Sequence, residues 1–327
     1  MSEINFIDLQ YFQKKINEIQ LNPLLIVKKE VNLGEALKLM AQHKVGVIAI
    51  SKEGSDSRIE NIEGIITERD FLNKSPINQK NWEQLLVTDL MTKNPSFLDG
   101  NLALEHAVKL MIFKKYKQIF IKSLDGEIKV LGAREVLLDI AKVFKKDLDS
   151  IGILKNPAFG IEGIIADIVD EKPWEGLEIY NKMVLHAGVL HYPVKKLINQ
   201  VALIFDENDS TLSVLSKLRQ ENLAAAVMVR HGTLISGIVT ERDFLFKVYG
   251  KVLDLDNTPI KNIMTNNPHF LFDRNKLGYA LNNILTFNYR NILVLDEEKY
   301  PLSIVTLLDI LDYLCRKVFD HGVMISI

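Results

Sequence analysis

One run of residues occurs twice. Gly64-Ile65-Ile66-Thr67-Glu68-Arg69-Asp70-Phe71-Leu72 and Gly237-Ile238-Val239-Thr240-Glu241-Arg242-Asp243-Phe244-Leu245 agree at eight of nine positions. Thr67 and Thr240 stand 173 residues apart. The same offset joins Met91-Thr92 to Met264-Thr265, Pro95 to Pro268, Ala107 to Ala280 and Tyr116 to Tyr289. An offset that holds without a gap from Thr67 to Tyr116 means two copies of one unit, so the chain is a duplication rather than one continuous core.

Each copy divides again. In residues 24–77, Leu24–Val27 reads as a short strand, and Leu33, Ala36, Leu37 and Met40 form a helical stripe. Val45–Ile50 and Ile62–Ile66 are apolar strands around a polar loop, and Thr67 opens a second helix. The order is β-α-β-β-α. It recurs over 86–146, with a strand at Ser96–Leu98 and a helix stripe of Leu104, Ala107, Val108 and Met111. Strands at Gln118–Lys122 and Ile128–Leu131 flank an Asp125-Gly126 turn, and Glu135–Phe144 closes the unit. Two further units fall at 194–250 and 260–318. The fold class is therefore α/β (α+β), with four β-α-β-β-α repeats in two pairs, 24–146 and 194–318.

The remaining stretches flank these repeats. Phe6, Leu9, Phe12, Ile16 and Ile19 predict an amphipathic helix within residues 1–23. Residues 147–193 read as a connector with one or two helices, and 319–327 as a tail. Ile161-Glu162-Gly163-Ile164-Ile165 echoes Ile62-Glu63-Gly64-Ile65-Ile66, but Ala166 stands where the threonine would be. It belongs to the connector.

Composition narrows the function classes. A net charge of −2 and a pI near 6.4 argue against nucleic-acid binding through overall basicity. The single cysteine, Cys315, permits no disulfide framework. No signal-peptide pattern and no membrane-length apolar run are present. The expectation is a soluble, cytoplasmic protein with no membrane partner. The seven histidines are scattered, and no Cys/His metal spacing, nucleophile elbow or P-loop occurs. The expectation is no enzyme, no metal site and no catalytic cofactor.

The chemistry lies in Thr-x-x-Asp, placed where a strand passes into a helix. The threonine hydroxyl and the free N–H groups of the first turn can hold a phosphate. The aspartate, one turn on, can accept two hydrogen bonds from vicinal ribose hydroxyls. The same residues also make a capping box, and both readings can hold at once. Thr67/Asp70, Thr240/Asp243 and Thr306/Asp309 carry the motif, the last with Ser303 in place of the glycine. In the second unit Ala133 and Val136 stand at these positions, so both groups are lacking.

The repeat ending Gly-Ile-Ile/Val-Thr-x-x-Asp, followed in the next unit by Met-Thr-x-x-Pro, resembles the CBS domain, two of which form a Bateman module. Four units in one chain also resemble the layout of the gamma subunit of AMP-activated protein kinase. The resemblance implies an adenosine nucleotide ligand (AMP, ADP or ATP) and a regulatory role toward an unidentified protein partner. It also implies a basic residue just before the central strand. Tyr289-Arg290 resembles the family's His-Arg pattern, with Lys117 in that place in unit two, Lys44 in unit one and Asn222 in unit three. The family's pairing joins Asp243 with Arg290, Asp70 with Lys117, and Asp309 with Asn222. Lys44 and Lys117 read equally well as solvated lysines. Arg69 and Arg242, on the first helical turn, read as surface ion pairs, with reach toward a phosphate or a second subunit as the alternative. A homodimer is compatible with the layout. The competing functions are a ligand-free scaffold and a DNA-associated regulator.

Overall fold

The computed structural model describes residues 6–52, 58–76, 81–153, 184–248, 254–316 and 318–319. The predicted N-terminal helix does not form. β1 (Phe6–Ile7) leads into 3-10 turns at Leu9–Gln13 and Ile16–Glu18, and then β2 (Asn22–Pro23). Of the predicted stripe, Phe12, Ile16 and Ile19 are buried, while Phe6 is exposed and its neighbour Ile7 is buried in its place. The backbone hydrogen bonds, however, go elsewhere. Ile16 and Asn17 N–H donate to the Leu102 and Gly100 carbonyls, and Leu104 N–H donates to Lys14. Tertiary partners satisfy groups that a helix would have paired internally. The segment lies on unit two, where Tyr11 Oη donates to Asp139 at 2.5 Å and Gln13 Nε2 to Glu105 at 2.7 Å.

Unit one follows the expected order: β3 (Leu25–Lys28), α1 (Leu33–His43), β4 (Val47–Ser51), β5 (Ile62–Thr67) and α2 (Glu68–Lys74). The Asn32 side chain caps α1 by accepting from Glu35 N–H at 2.8 Å. After α3 (Val87–Leu90) and β6 (Thr92–Lys93), unit two repeats the order. It comprises β7 (Phe97–Asp99), α4 (Leu104–Lys114), β8 (Gln118–Lys122), β9 (Ile128–Gly132) and α5 (Ala133–Val143). Of the connector, α6 (Lys145–Ile151) extends α5, and β10 (Leu185–His186) pairs antiparallel with β1. The Ile161–Ile165 echo lies outside the described residues. Unit three has β11 (Ile204–Asp206), α7 (Thr211–Gln220), β12 (Ala225–Arg230), β13 (Leu234–Thr240) and α8 (Glu241–Asp243), which runs on as a π-turn. Unit four follows β14 (Thr265–Asn266) with β15 (Phe270–Phe272), α9 (Leu277–Phe287), β16 (Asn291–Leu295), β17 (Pro301–Thr306) and α10 (Leu307–Arg316).

In the sheet of each unit the first strand is parallel to the central one, and the central strand is antiparallel to the outer one. The strand that leads into one unit then completes the sheet of its neighbour. β6 pairs with β5, β2 with β9, and β14 with β13. In the fourth sheet Ala202 N–H donates to Leu302 at 2.9 Å. The register is shared too. Val47 pairs with Thr67, Gln118 with Gly132, Ala225 with Thr240 and Asn291 with Thr306. Each motif threonine therefore lies beside the start of a central strand.

Hydrophobic packing joins the four units in a ring. Val47, Ala49 and Ile62 of the first sheet pack on Phe120, Ile128 and Val130 of the second. Helices of units one and three share a core that includes Met40, Phe71, Leu218 and Phe244. Helices of units two and four share another, with Val108, Ile140, Ile284 and Leu311, which also takes in Ala225, Val227 and Ile238 from the third sheet. Sheets thus join units within a half, and helices join the halves.

The glycine of the repeated motif is explained by contact with the following Met-Thr. A Cβ at Gly64 would stand 2.6 Å from Met91 Sδ, and Gly237 meets Met264 in the same way. Gly64→Ala is expected to cost about 1–3 kcal/mol through overpacking, and Met91→Ala in the same chain to recover part of it. Urea denaturation of both variants and the double variant measures this.

Candidate functional site

The structure holds all three Thr-x-x-Asp pairs as capping boxes. Thr67, Thr240 and Thr306 each donate N–H and Oγ1 to Oδ2 of the aspartate three residues on, at 2.6–2.8 Å. The other carboxylate oxygen is bound from outside the motif. Asp70 Oδ1 takes Thr92 Oγ1 at 3.3 Å and Lys74 Nζ at 2.6 Å. Asp243 Oδ1 takes Thr265 Oγ1 at 3.1 Å and Lys247 Nζ at 2.6 Å. Asp309 Oδ1 takes Asn199 Nδ2 at 2.6 Å. Thr92, Thr265 and Asn199 all come from the paired unit's leading segment, which explains why Met-Thr recurs with the motif. Lys74 and Lys247, again 173 apart, were not singled out from the sequence, although their i,i+4 spacing from the aspartates is visible there.

A cavity of about 440 Å³ lies where units three and four meet the other half. Thr240 and Asp243 line it, as do Arg290 and Lys117. Its apolar side holds Ile238, Pro268 and Tyr289. Lys117 thus lies in the wall of the Thr240–Asp243 cavity. A second cavity, of about 450 Å³ around Leu21, Leu124 and Lys129, contains no motif residue. Ala133 and Val136 are buried in the core shared by units two and four, and they are not the motif positions. Gln118 pairs with Gly132 as Val47 pairs with Thr67, and Ala133 N–H donates to Lys117 as Glu68 N–H donates to Gly46. Gly132 and Glu135 of unit two therefore stand where the threonine and aspartate stand elsewhere.

The basic position needs correction in units one and three. Lys44 and Asn222 do not correspond to Lys117 and Arg290. They share left-handed backbone, φ 54° and 53°, with Lys115 at 56° and Asn288 at 57°, each ending a helix two residues earlier. The residues that correspond to Lys117 are Gly46 and Ala224. Their carbonyls accept from Glu68 and Glu241 N–H, as the Lys117 carbonyl accepts from Ala133 N–H. Asn222 does not face Asp309; its side chain and carbonyl accept from Arg69 at 2.7 and 3.0 Å.

Arg69 and Arg242 are not surface pairs within a helix. They cross between the halves to two buried glutamates. Arg242 Nε reaches Glu68 Oε1 at 2.8 Å, and Arg290 Nη1 reaches Glu68 Oε2 at 2.7 Å. Arg69 Nε binds Glu241 Oε1, and Lys117 Nζ reaches Glu241 Oε2 at 2.7 Å. Glu68 is 6% exposed and Glu241 4%. Burial lowers the Arg290 pKa from its ordinary value, and the Glu68 charge opposes that shift. The six residues form two sets related by the 173 offset: Glu68, Arg69 and Lys117 against Glu241, Arg242 and Arg290.

An aromatic group adjoins the cavity. The His269 ring lies 5.0 Å from Tyr289 and 5.6 Å from Phe287, centroid to centroid. His269 lines the cavity, and its Nδ1 is buried without a hydrogen-bond partner. Among the described residues no group of three or more His, Cys, Asp or Glu could hold a metal ion. No helix among them is long and apolar enough to cross a membrane.

Comparison with known proteins gives a consistent result. The CBS domain family profile matches residues 16–76, 194–250 and 260–316, more than half of the chain. Unit two is not among the matched segments, yet it has the same element order. The chain is 25% identical over 305 residues to the CBS domain-containing protein CBSCBSPB1 of Arabidopsis thaliana, covering 91% of this chain and 53% of the relative. It is 20% identical over 312 residues to the meiotically up-regulated gene 70 protein of Schizosaccharomyces pombe, covering 89% of this chain and 42% of that one. The chain thus spans about half the length of the curated relatives it matches. Among solved structures, protein MJ1225 of Methanocaldococcus jannaschii, proposed as an archaeal homologue of g-AMPK, superposes with a TM-score of 0.68 at 16% identity. That match covers 92% of this chain and 99% of the other.

Burial lowers the His269 pKa from the ordinary 6.5. The unfolded chain then binds more protons below about pH 6.5, so the stability of the neutral form is present above that value and lost below it. His269 is expected to titrate below 6.5 by NMR. His269→Phe is expected to narrow the stability difference between about pH 5.5 and about pH 7.5.

Proposed function

The chain belongs to the CBS domain family, and on that premise we propose that it is a regulatory protein that binds an adenosine nucleotide. CBS domains are regulatory ligand-binding modules. One observation carries the reading for this chain. Thr240, Asp243 and Arg290, singled out for phosphate, ribose and phosphate in turn, face one cavity, with Lys117 beside them. In this reading the α8 turn and Arg290 hold phosphate, the last through its bidentate fork. The Asp243 carboxylate turns from its cap to the ribose hydroxyls, and the base lies against Ile238, Pro268 and Tyr289. Occupancy biases one arrangement of the two halves, and a protein partner reads that bias. The reading includes AMP, ADP or ATP as ligand, a cytoplasmic setting and no catalysis.

The internal pairing of each Thr-x-x-Asp favours a second reading, a scaffold in which the motif only caps helices. Calorimetric titration with AMP, ADP and ATP separates them. Saturable binding supports the first, and its absence the second. The clefts are expected to fill in order. Thr240/Asp243/Arg290 comes first and Thr67/Asp70 second. Thr306/Asp309, whose paired unit has Ala224 rather than a cation before its central strand, comes third. The unit-two position, Ala133/Val136 in the sequence and Gly132/Glu135 by the sheet register, stays empty. Crystals soaked in AMP test the order.

Asp243→Ala is expected to weaken AMP binding by about 1–3 kcal/mol. The variant should no longer distinguish AMP from its 2′,3′-dideoxy analogue. A retained preference for intact ribose, measured below the unfolding transition, contradicts the role given to Asp243.

A further inference from the structure

The nucleotide reading leaves two acids without a task. Glu68 and Glu241 are buried and stand in the wall of the cavity, and neither belongs to a Thr-x-x-Asp pair. A carboxylate beside a phosphate is repulsive. Yet these two lie on the cations a phosphate would use: Glu68 Oε2 on Arg290 and Glu241 Oε2 on Lys117, both at 2.7 Å.

Each glutamate also has a second cation. Glu68 holds Arg242 through Oε1, and Glu241 holds Arg69. Four cations thus pair with the two glutamates, and with the Glu135 charge that also acts on Arg290 the group still carries more positive charge than negative. The surplus matters because stripping a buried carboxylate of its only partner is costly. Here each glutamate can give up one cation and keep the other. Glu68 can release Arg290 and remain on Arg242. Glu241 can release Lys117 and remain on Arg69.

We infer that Glu68 and Glu241 are resident competitors for the cations of the cleft. A phosphate-bearing ligand enters by taking Arg290 from Glu68, and a longer phosphate chain by also taking Lys117 from Glu241. The two glutamates therefore set the affinity for phosphate and the number of phosphates preferred. This rests on the reading of the cavity as a nucleotide site. The opposite role, a glutamate that holds Arg290 in place for the ligand, predicts changes of opposite sign.

The full chain, Glu68→Gln, Glu241→Gln and the double variant are titrated by calorimetry with AMP, ATP, adenosine and inorganic pyrophosphate at fixed ionic strength. Glu68→Gln is expected to tighten AMP, ATP and pyrophosphate about tenfold, with adenosine unchanged. Glu241→Gln should tighten ATP and pyrophosphate more than AMP. Arg69 lies outside the cavity wall and shares Glu241 with Lys117. Arg69→Met leaves Lys117 as the only cation on Glu241, and should weaken ATP and pyrophosphate about threefold. Equal or weaker anion binding by the Gln variants overturns the inference, as does equal or tighter binding by Arg69→Met. The Arg69→Met result decides if the Gln variants fail to fold. If the parent binds no nucleotide, the functional reading falls, and pyrophosphate still decides here. A gain by the double variant over the parent supports competition, and no gain overturns it.

Discussion

No unit of this chain is finished by its own residues. The segment before unit two supplies β6 to the first sheet, and the segment before unit one supplies β2 to the second. β14 does the same for the third sheet, and Ala202 makes one such bond to the fourth. A bare sheet edge would leave a row of unpaired backbone groups, so each unit needs its partner before it is stable. The site follows from this exchange. Thr92 and Thr265 reach the carboxylates of Asp70 and Asp243 only because their strands are laid across the neighbouring unit.

The shared register does the next part of the work. Because the central strand starts opposite the end of the outer strand, the residue just before it lies beside the first turn of a helix. In units two and four that residue is Lys117 or Arg290, and in units one and three it is Gly46 or Ala224. The small residues leave space for the cations of the other half. A Cβ on Gly46 would lie 2.9 Å from Glu68 Oε1 and 3.1 Å from Arg290 Nη1. Small residues on one side of the ring, in units one and three, and cations on the other, in units two and four, bring both charges of a bridge to the same place.

Much of this was legible in the sequence because it is local. The strands and helices, their order and the Thr-x-x-Asp caps follow from periodicity and short spacing. What was misread depends on partners far along the chain. The apolar residues of the N-terminal segment keep helical spacing, but Leu102 and Gly100 take its N–H groups. Lys44 resembled Lys117 as a lysine ahead of an apolar run, and the left-handed backbone at the helix end, together with the Gly46 carbonyl that accepts from Glu68 N–H, reveals the two-residue slip. A signal was present in unit two, where Lys115 precedes Lys117 by the same interval. Arg69 and Arg242 looked like ordinary surface residues, since Glu241 and Glu68 lie more than 170 positions away. Their identity in both copies was the one hint that they had a shared task.

The exchange of strands also bears on how the chain is made. β2 leaves the ribosome long before β9, its strand partner in the second sheet, and Glu68 is synthesised 222 residues before Arg290. Contacts of such sequence separation form slowly, because the intervening loop must be closed before they reward it. The first pair can settle while the second is still being translated, since domains fold as units in the order of synthesis. Until then its charged face has no opposite half. The ion-pair partners of Glu68, Arg69 and Lys117 (Arg242, Arg290 and Glu241) all lie in the second half, so a chain that folds in that order buries these charges only as it closes the ring.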